Sequence, residues 1–178
     1  MEFKDVIEKR RSIRKFTNDE VDNQLLVELI RLATLAPSAH NRQPWRFMIV
    51  KDDKKDMIVS MMNEFYDKYK AKVSKTMPFT ASVIDESNAL IVVFRDGLKE
   101  DRYLDTLSIG GAIEHICLGA TSMGLGSVWI NDIDPVKEAI AKYLGYGDLE
   151  IVSVVAIGYP NQDPKPRPRK ELNDVILK

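Results

Sequence analysis

Three arginines and a serine near the start of the chain could bind an anion. Residues 10–14 read Arg-Arg-Ser-Ile-Arg, which places the guanidinium groups and the hydroxyl of Ser12 within one short segment. Planar guanidinium groups bind phosphate oxygens through paired hydrogen bonds, and the hydroxyl adds a further donor. Charge runs are also common on solvent-exposed surfaces, so this segment alone leaves both interpretations open.

A second cationic cluster lies near the other end of the chain. Residues 167–170 read Arg-Pro-Arg-Lys, and Pro164 and Pro166 precede them. Prolines restrict the backbone and stiffen such a segment. The two clusters could converge on one anionic ligand, or the second could be a solvated arm.

A third candidate region lies between a helical pattern and a strand-like pattern. Pro37 ends the helical pattern because its ring cannot continue the backbone hydrogen bonding. Residues 38–42 are small or polar, and Gln43, Pro44 and Trp45 then lead into the strand pattern. A junction of this kind can present side chains and amides to a ligand, although an ordinary helix–loop–strand connection would have the same pattern.

Other catalytic chemistry has little support in the sequence. His40, His115 and Cys117 lack the spacing of zinc ligands, so we expect no metal site. Ser38 and His40 have no nucleophile elbow or placed carboxylate beside them. Residues 124–127 (Gly-Leu-Gly-Ser) follow a helix and precede a strand, the reverse of the dinucleotide-binding order. Phosphate-binding groups without acid–base residues are typical of proteins that leave the chemistry to a bound cofactor.

The elements that would position these residues are helices and strands in a mixed order. Helical patterns cover 2–10, 22–36, 53 to a break at Met77-Pro78, 101–123 and 134–145; strand patterns cover 47–50, 89–94, 128–130 and 151–157; 175–177 could form a last strand, and 77–88 are ambiguous. The long helix at 101–123 is apolar almost all round, which predicts burial in the domain centre or in a subunit interface. Gly110 and Gly111 would let another backbone approach it. These elements predict an α+β sheet layered by helices.

Composition restricts the class of protein. The chain has 178 residues, 44% hydrophobic and 30% charged, with a formal net charge of −1, which predicts one domain over residues 1–178. The near-zero charge opposes binding to nucleic acid or an anionic membrane surface. No apolar run is long enough to span a membrane, and the first residues do not resemble a secretory signal. With Cys117 as the lone cysteine, we expect a cytoplasmic protein.

Three segments together resemble the nitroreductase family of FMN-dependent oxidoreductases. They are residues 10–16, residues 36–45, and the pair 124–130 with 156–160. Their order and separations also match, so the resemblance covers nearly the whole chain. It implies a homodimer with a mainly antiparallel sheet, a buried central helix and a C-terminal tail exchanged between subunits, with FMN bound where the subunits meet.

The resemblance also assigns cofactor contacts by position. Those contacts are Arg10, Arg11, Ser12 and Arg14; Pro37, Ser38 and Ala39, contributed by the partner subunit against the ring; Asn41 and Gln43 on the same loop; Ile130, Asn131 and Asp132 near flavin N5; and Arg169, with Arg167 or Lys170, at the phosphate. A cation such as Arg14 would stabilise negative charge on the flavin ring. No side chain is assigned a catalytic role.

The implied activity is hydride transfer from NADH or NADPH to flavin N5, then to a nitroaromatic, a quinone or a related acceptor, in alternating half-reactions.

The sequence departs from the family in three places: it lacks inserted helices, it has Asn131-Asp132 where a glycine is usual, and residues 64–88 match no motif. Three alternatives remain: a flavin-binding or sensing module without turnover, another reductive activity such as dehalogenation or flavin fragmentation, and binding of nucleic acid by the arginine clusters.

Overall fold

The computed structural model describes residues 1–177 as an α+β fold around one four-stranded sheet. The helices are α1 Phe3–Lys9, α2 Asn23–Ala33, α3 Asp52–Tyr69, α4 Met77–Glu86, α5 Arg102–Ser122, α6 Lys137–Tyr143 and α7 Leu172–Val175; the strands are β1 Trp45–Val50, β2 Ala89–Arg95, β3 Gly126–Ile130 and β4 Glu150–Gly158. The strands pair antiparallel in the order β1-β2-β4-β3. The predicted α+β class is confirmed.

The sheet separates two hydrophobic layers. On one face Leu90, Val92 and Phe94 of β2 pack in a cluster with residues of α3, α4 and α6. On the other face Ile91 and Val93 pack in a cluster with residues of α2 and α5. Every residue of β2 is buried, as its continuous apolar run predicts for a strand covered on both sides.

Helix α5 is the central helix, and it is buried along most of its length. Its first turns nevertheless expose Tyr103, Leu104 and Leu107. The tightest approach of a neighbouring helix is at Gly119, where an added Cβ would lie 2.8 Å from Leu32 Cδ1. A Cβ added at Gly110 or Gly111 would meet only Trp129 at 3.7 Å or Ala36 at 4.0 Å, so no other backbone among residues 1–177 approaches them closely, and an approach by a partner subunit stays a prediction.

The N-terminal segment is attached to the edge of the sheet. Ser12 forms a parallel bridge with Ser127 of β3, and Phe16 forms an antiparallel bridge with Pro160, just after β4. The ends of β3 and β4 thus bring residues 10–16 and the start of the C-terminal tail to one place.

Two regions differ from the sequence prediction. Helix α3 ends at Tyr69, and the ambiguous region forms α4, in whose first turn Pro78 lies. Proline is tolerated there because the first-turn N–H groups have no partner within the helix. The possible last strand at 175–177 is wrong: residues 172–175 form the short helix α7, which has only local hydrogen bonds such as Ile176 N to Leu172 O.

Candidate functional site

A groove of about 690 Å³ lies between the N-terminal segment, the C-terminal tail and α4. We call it the arginine groove. Its lining includes seven cationic side chains, namely Arg10, Arg11, Arg14, Lys15, Lys165, Arg167 and Arg169, and two carboxylates, Glu8 and Glu86. The two cationic clusters of the sequence therefore converge, and the excess of positive charge favours an anionic ligand.

Hydrogen bonds to the sheet and to the segment after β4 fix the N-terminal wall of this groove. Ile13 N donates to Ser127 O at 2.9 Å, and Asn161 N donates to Lys15 O at 2.9 Å. The segment lies so close to the sheet that a Cβ added at Gly126 would lie 2.7 Å from Ile13 Cγ2. A small residue at position 126 is thus needed to seat the arginine segment.

The arginines of the groove retain donors for a ligand. Arg11 donates to Glu8 O at 2.6 Å and to Arg10 O at 2.8 Å, and Arg14 donates to Ser12 O at 3.3 Å. These partners are neutral backbone carbonyls, and each guanidinium has five N–H donors. Arg10 forms a long ion pair with Glu114 at 3.7 Å. The charge and donor set of the groove fit a phosphate group.

The loop of residues 37–43 is held by its own hydrogen bonds. Ser38 Oγ accepts from Gln43 N at 3.0 Å, and Ala39 N donates to Ser108 Oγ of α5 at 3.2 Å. Three residues of this loop have positive φ: His40 at 54°, Asn41 at 53° and Gln43 at 49°. Non-glycine residues adopt this region at a cost in energy, which is typical of a loop whose conformation serves a function.

A set of ion pairs holds this loop through Arg42. We call it the ion-pair cluster, and its members are Arg42, Arg95, Arg102, Asp105 and Glu150. Arg42 Nη2 lies 3.0 Å from Asp105 Oδ1, and Arg95 Nη1 lies 3.2 Å from Asp105 Oδ2. Arg95 and Arg102 both bind Glu150, at 3.0 and 2.6 Å. Hydrogen bonds from Arg102, and secondarily from Arg95, hold the pKa of Glu150 below its ordinary value although partial burial opposes this. No motif in the sequence marks this cluster.

The segment after β3 is held from two sides. Ser153 Oγ lies 2.7 Å from Ile130 O and 2.8 Å from Asn131 Oδ1. Asp132 Oδ2 accepts a hydrogen bond from Thr76 Oγ1 at 2.7 Å and another from Thr80 Oγ1 at 2.8 Å. The backbone of residues 130–132 is thereby fixed relative to both the sheet and α4.

Comparison with known proteins identifies the family. Residues 7–159 match the family model described as the nitroreductase family. The chain belongs to the nitroreductase family. A protein of Archaeoglobus fulgidus, provisionally named NADH dehydrogenase/NAD(P)H nitroreductase, is 30% identical over 159 residues, which cover 86% of this chain and 83% of that protein.

Two further comparisons extend this result. Iodotyrosine deiodinase of Thermotoga neapolitana is 28% identical over 179 residues, covering 94% of each chain. A crystal structure from Desulfovibrio desulfuricans, provisionally named a nitroreductase and in complex with FMN, has a TM-score of 0.83 at 23% identity and covers 100% of this chain and 96% of that one. At that identity the structural likeness supports the nitroreductase fold.

The predicted cofactor residues of this nitroreductase-family chain fall into two groups. Arg10, Arg11, Ser12, Arg14, Arg167 and Arg169 line the arginine groove. Pro37, Ser38, Ala39, Asn41, Gln43, Ile130, Asn131, Asp132 and Lys170 do not line it. Phe79, Ser82 and Glu86 form the α4 side of the groove, and no motif in the sequence marks them.

Outside these regions the nitroreductase-family chain offers little reactive chemistry. Burial raises the pKa of the Cys117 thiol to about 11, which suits a packing role. His115 Nδ1 lies 3.1 Å from Leu32 O, between α5 and α2. Among residues 1–177 no group of three metal-ligating side chains converges. Within the same range, none of the helices combines the length and the apolar character needed to cross a bilayer.

Proposed function

We propose that this nitroreductase-family oxidoreductase binds FMN and passes hydride from NADH or NADPH to a nitroaromatic, a quinone or a related acceptor in alternating half-reactions. The observation that carries the proposal is the arginine groove, where seven cations and two carboxylates surround a space of about 690 Å³. A phosphate with a charge near −2 would be strongly favoured there.

The groove residues would hold the phosphate end of FMN. Arg10, Arg11 and Ser12 come from one end of the chain, and Arg167 and Arg169 come from the other. Their guanidinium groups can bind phosphate oxygens in pairs, while Ser12 adds a hydroxyl. Lys170 lies just beyond the lining residues and would add only a long-range charge.

The bound cofactor would supply the redox chemistry, taking up hydride at N5 and passing it to the acceptor. The chain's own residues would bind and orient the ring. Arg14 lies in the groove, where its charge would favour an anionic ring edge. The N–H of Asn131 is the donor that we assign to N5, because Ser153 and Asp132 fix the backbone on either side of it. We assign no side chain as a proton donor.

A homodimer would complete the site. Residues 37–43 lie apart from the arginine groove of their own chain, which is expected if they serve the groove of a partner. Exposed apolar side chains supply surface for such a contact: Tyr103, Leu104 and Leu107 on α5, and Leu172, Val175, Ile176 and Leu177 in the tail. Burying them would favour association, and tail exchange would cover the last four.

The absorption spectrum of the purified protein tests the proposal. We expect a yellow protein with one FMN per subunit, bleached by NADH or NADPH without oxygen and recoloured by a quinone or a nitroaromatic. Titration with each nucleotide in turn would identify the donor. Colourless protein that FMN cannot reconstitute would refute the proposal. Sedimentation of the yellow form should give a dimer.

Reductive dehalogenation is the second candidate activity. It is favoured by the iodotyrosine deiodinase of Thermotoga neapolitana, which matches this chain over 94% of its length. Release of iodide from an iodophenol by the dithionite-reduced protein would support it. Steady oxidation of NADH or NADPH with any acceptor would eliminate a sensing module without turnover. The cytoplasmic location and the lack of nucleic-acid binding stay predictions.

A further inference from the structure

One turn of α5 holds the loop of residues 37–43 through two buried side chains. Ser108 Oγ accepts a hydrogen bond from Ala39 N at 3.2 Å. Asp105 Oδ1 accepts from Arg42 Nη2 at 3.0 Å and from Arg42 Nε at 3.3 Å. Asp105 and Ser108 are three residues apart on the helix, so they lie on the same face of it. The loop is therefore tied to a rigid element at its third and sixth residues.

The loop residues next to these two ties have exposed side chains. His40, Asn41 and Gln43 are exposed, and all three have positive φ. The hydrogen bond from Gln43 N to Ser38 Oγ at 3.0 Å joins the two ends of the loop. Non-glycine residues persist at positive φ where surrounding contacts hold the backbone. The contacts from α5 supply that restraint and keep the exposed side of the loop in one conformation.

The same turn of α5 exposes apolar side chains beside the two ties. Leu104 and Leu107 are exposed, and each precedes one of the tying residues, Asp105 and Ser108, by one position. Neighbouring residues of an α-helix point about 100° apart, so the leucines lie beside the loop contacts and not beneath them. In the proposed dimer this turn would pack on the partner with one side and hold the loop with another. The turn would then set where the loop lies relative to the partner subunit.

On the basis of the proposed function, in which the loop serves the flavin ring in the partner subunit, we propose that Asp105 and Ser108 are positioning residues for that ring. They act through the loop, Ser108 on the backbone at Ala39 and Asp105 on the guanidinium of Arg42. Neither residue lines the arginine groove, so their loss would disturb contacts to the ring and leave the phosphate site as it is. A contact that only stabilised the fold would change the melting temperature and leave the reactivity of the flavin unchanged.

Replacement of Ser108 tests the proposal in the FMN-loaded protein. Ser108→Ala leaves the N–H of Ala39 without its acceptor on α5. We expect NADH or NADPH, whichever reduces wild type, to reduce the bound flavin about tenfold more slowly in anaerobic stopped flow, because a small displacement of the ring from the nucleotide slows hydride transfer. Ser108→Thr keeps the hydroxyl and should restore most of the rate.

Flavin affinity separates an effect on the ring from an effect on the phosphate. In Ser108→Ala the dissociation constants of FMN and of riboflavin should rise by the same factor, about fivefold, because the two flavins share the ring. Arg169→Gln should instead weaken FMN alone, because riboflavin lacks the phosphate. Ser122→Ala is the matched control, since Ser122 Oγ donates to Gly119 O at 2.8 Å within the last turn of α5. It should keep the wild-type rate and both wild-type affinities.

The Asp105 contact is best tested from the loop side. Asp105→Ala would also unpair Arg95, so a slower reaction in that variant would have two causes. Arg42→Met removes the tie to Asp105, and a longer one to Asp101 at 3.4 Å, while Asp105 keeps its pair with Arg95. We expect flavin reduction to slow about fivefold and both flavins to bind more weakly by one common factor. Arg31→Met, which breaks a pair with a carboxylate of its own helix, should have neither effect.

The outcomes separate this inference from the function on which it rests. If wild-type protein binds no FMN, the proposed function fails before any variant is made, and this inference fails with it. If wild type is active but Ser108→Ala and Arg42→Met keep the wild-type reduction rate and flavin affinities, the two contacts have a structural role only, whatever the melting temperatures. If these variants weaken FMN and spare riboflavin, the contacts act on the phosphate site and the inference is wrong.

Discussion

The arginine groove and the ion-pair cluster use the same side chain in opposite ways. In the ion-pair cluster, Arg42, Arg95 and Arg102 each bind a carboxylate of this chain. In the groove, Arg11 and Arg14 bind only backbone carbonyls, and seven cations share two carboxylates. The first arrangement satisfies its charges internally and holds the loop at residues 37–43. The second leaves charge available, which is what binding an anionic ligand requires.

The largest effect is expected from removing the carboxylate at the centre of the ion-pair cluster. Asp105 is 1% exposed and binds both Arg42 and Arg95. In Asp105→Ala these cations lose their buried partner, so the free energy of unfolding should fall by roughly 3–5 kcal/mol in urea titrations. Glu28→Ala, which breaks the exposed pair with Arg31, is the control and should leave the urea midpoint nearly unchanged. Equal losses in the two variants would contradict the distinction between the regions.

Removing a positive charge from the arginine groove should have the opposite effect. The affinity for FMN should fall, and the free energy of unfolding should stay the same. For Arg14→Gln and Arg169→Gln we expect the FMN dissociation constant to rise about 10- to 100-fold in fluorescence titrations, because each removes a charge-assisted contact. The same variants should unfold within about 0.5 kcal/mol of wild type. Riboflavin lacks the phosphate, so its affinity for the Arg169 variant should be nearly unchanged. A parallel loss of riboflavin binding would place Arg169 away from the phosphate.

Raising the salt concentration should also distinguish the arginine groove from the ion-pair cluster, with a smaller effect. Raising KCl from about 50 mM to about 500 mM screens exposed charges, so FMN binding to the open groove should weaken several-fold. The partly buried ion pairs are screened less, and the melting temperature should change little over the same range. Salt-independent FMN affinity would mean that the phosphate is held by neutral donors.

The smallest effect is expected from lowering the pH, which should change the melting temperature through Glu150. The lowered pKa of Glu150 stabilises the fold fully above the ordinary value near 4.5, and this stabilisation is lost as the pH falls through the lower folded-state pKa. Between about pH 6 and about pH 3.5, the melting temperature of Glu150→Gln should therefore fall less than that of wild type. Solvent exposure limits the difference to about 1 kcal/mol or less. Identical acid profiles would show that the bonds from Arg95 and Arg102 contribute nothing.

Much of the fold could be predicted because its signals are local. The apolar runs at 89–94 and 151–157 gave β2 and β4, and Asp22 caps α2 as expected, accepting from Gln24 N at 2.8 Å. The sequence of helix α4 is ambiguous because its Pro-Phe-Thr-Ala-Ser segment mixes a helix breaker with weak helix formers. The predicted strand at 175–177 is wrong because an apolar triplet forms a strand only if another strand pairs with it.

The candidate site was predictable only where a motif marked it. Residues 10–14 and 167–170 stood out as charge clusters, but only the structure brings most of them into one groove. The ion-pair cluster joins residues 63 and 55 positions apart, Arg42 with Asp105 and Arg95 with Glu150, and no spacing rule reaches so far. The link from Asp132 to Thr76 spans 56 positions and was missed for the same reason.

The arginine groove is built from opposite ends of the chain, since residues 8–15 form one side and residues 162–169 another. A ligand that contacts both segments can therefore bind in full only after they have come together. A protein truncated shortly before residue 162 would keep all four strands and still lack three of the seven groove cations, so cofactor affinity would report whether the tail is in place.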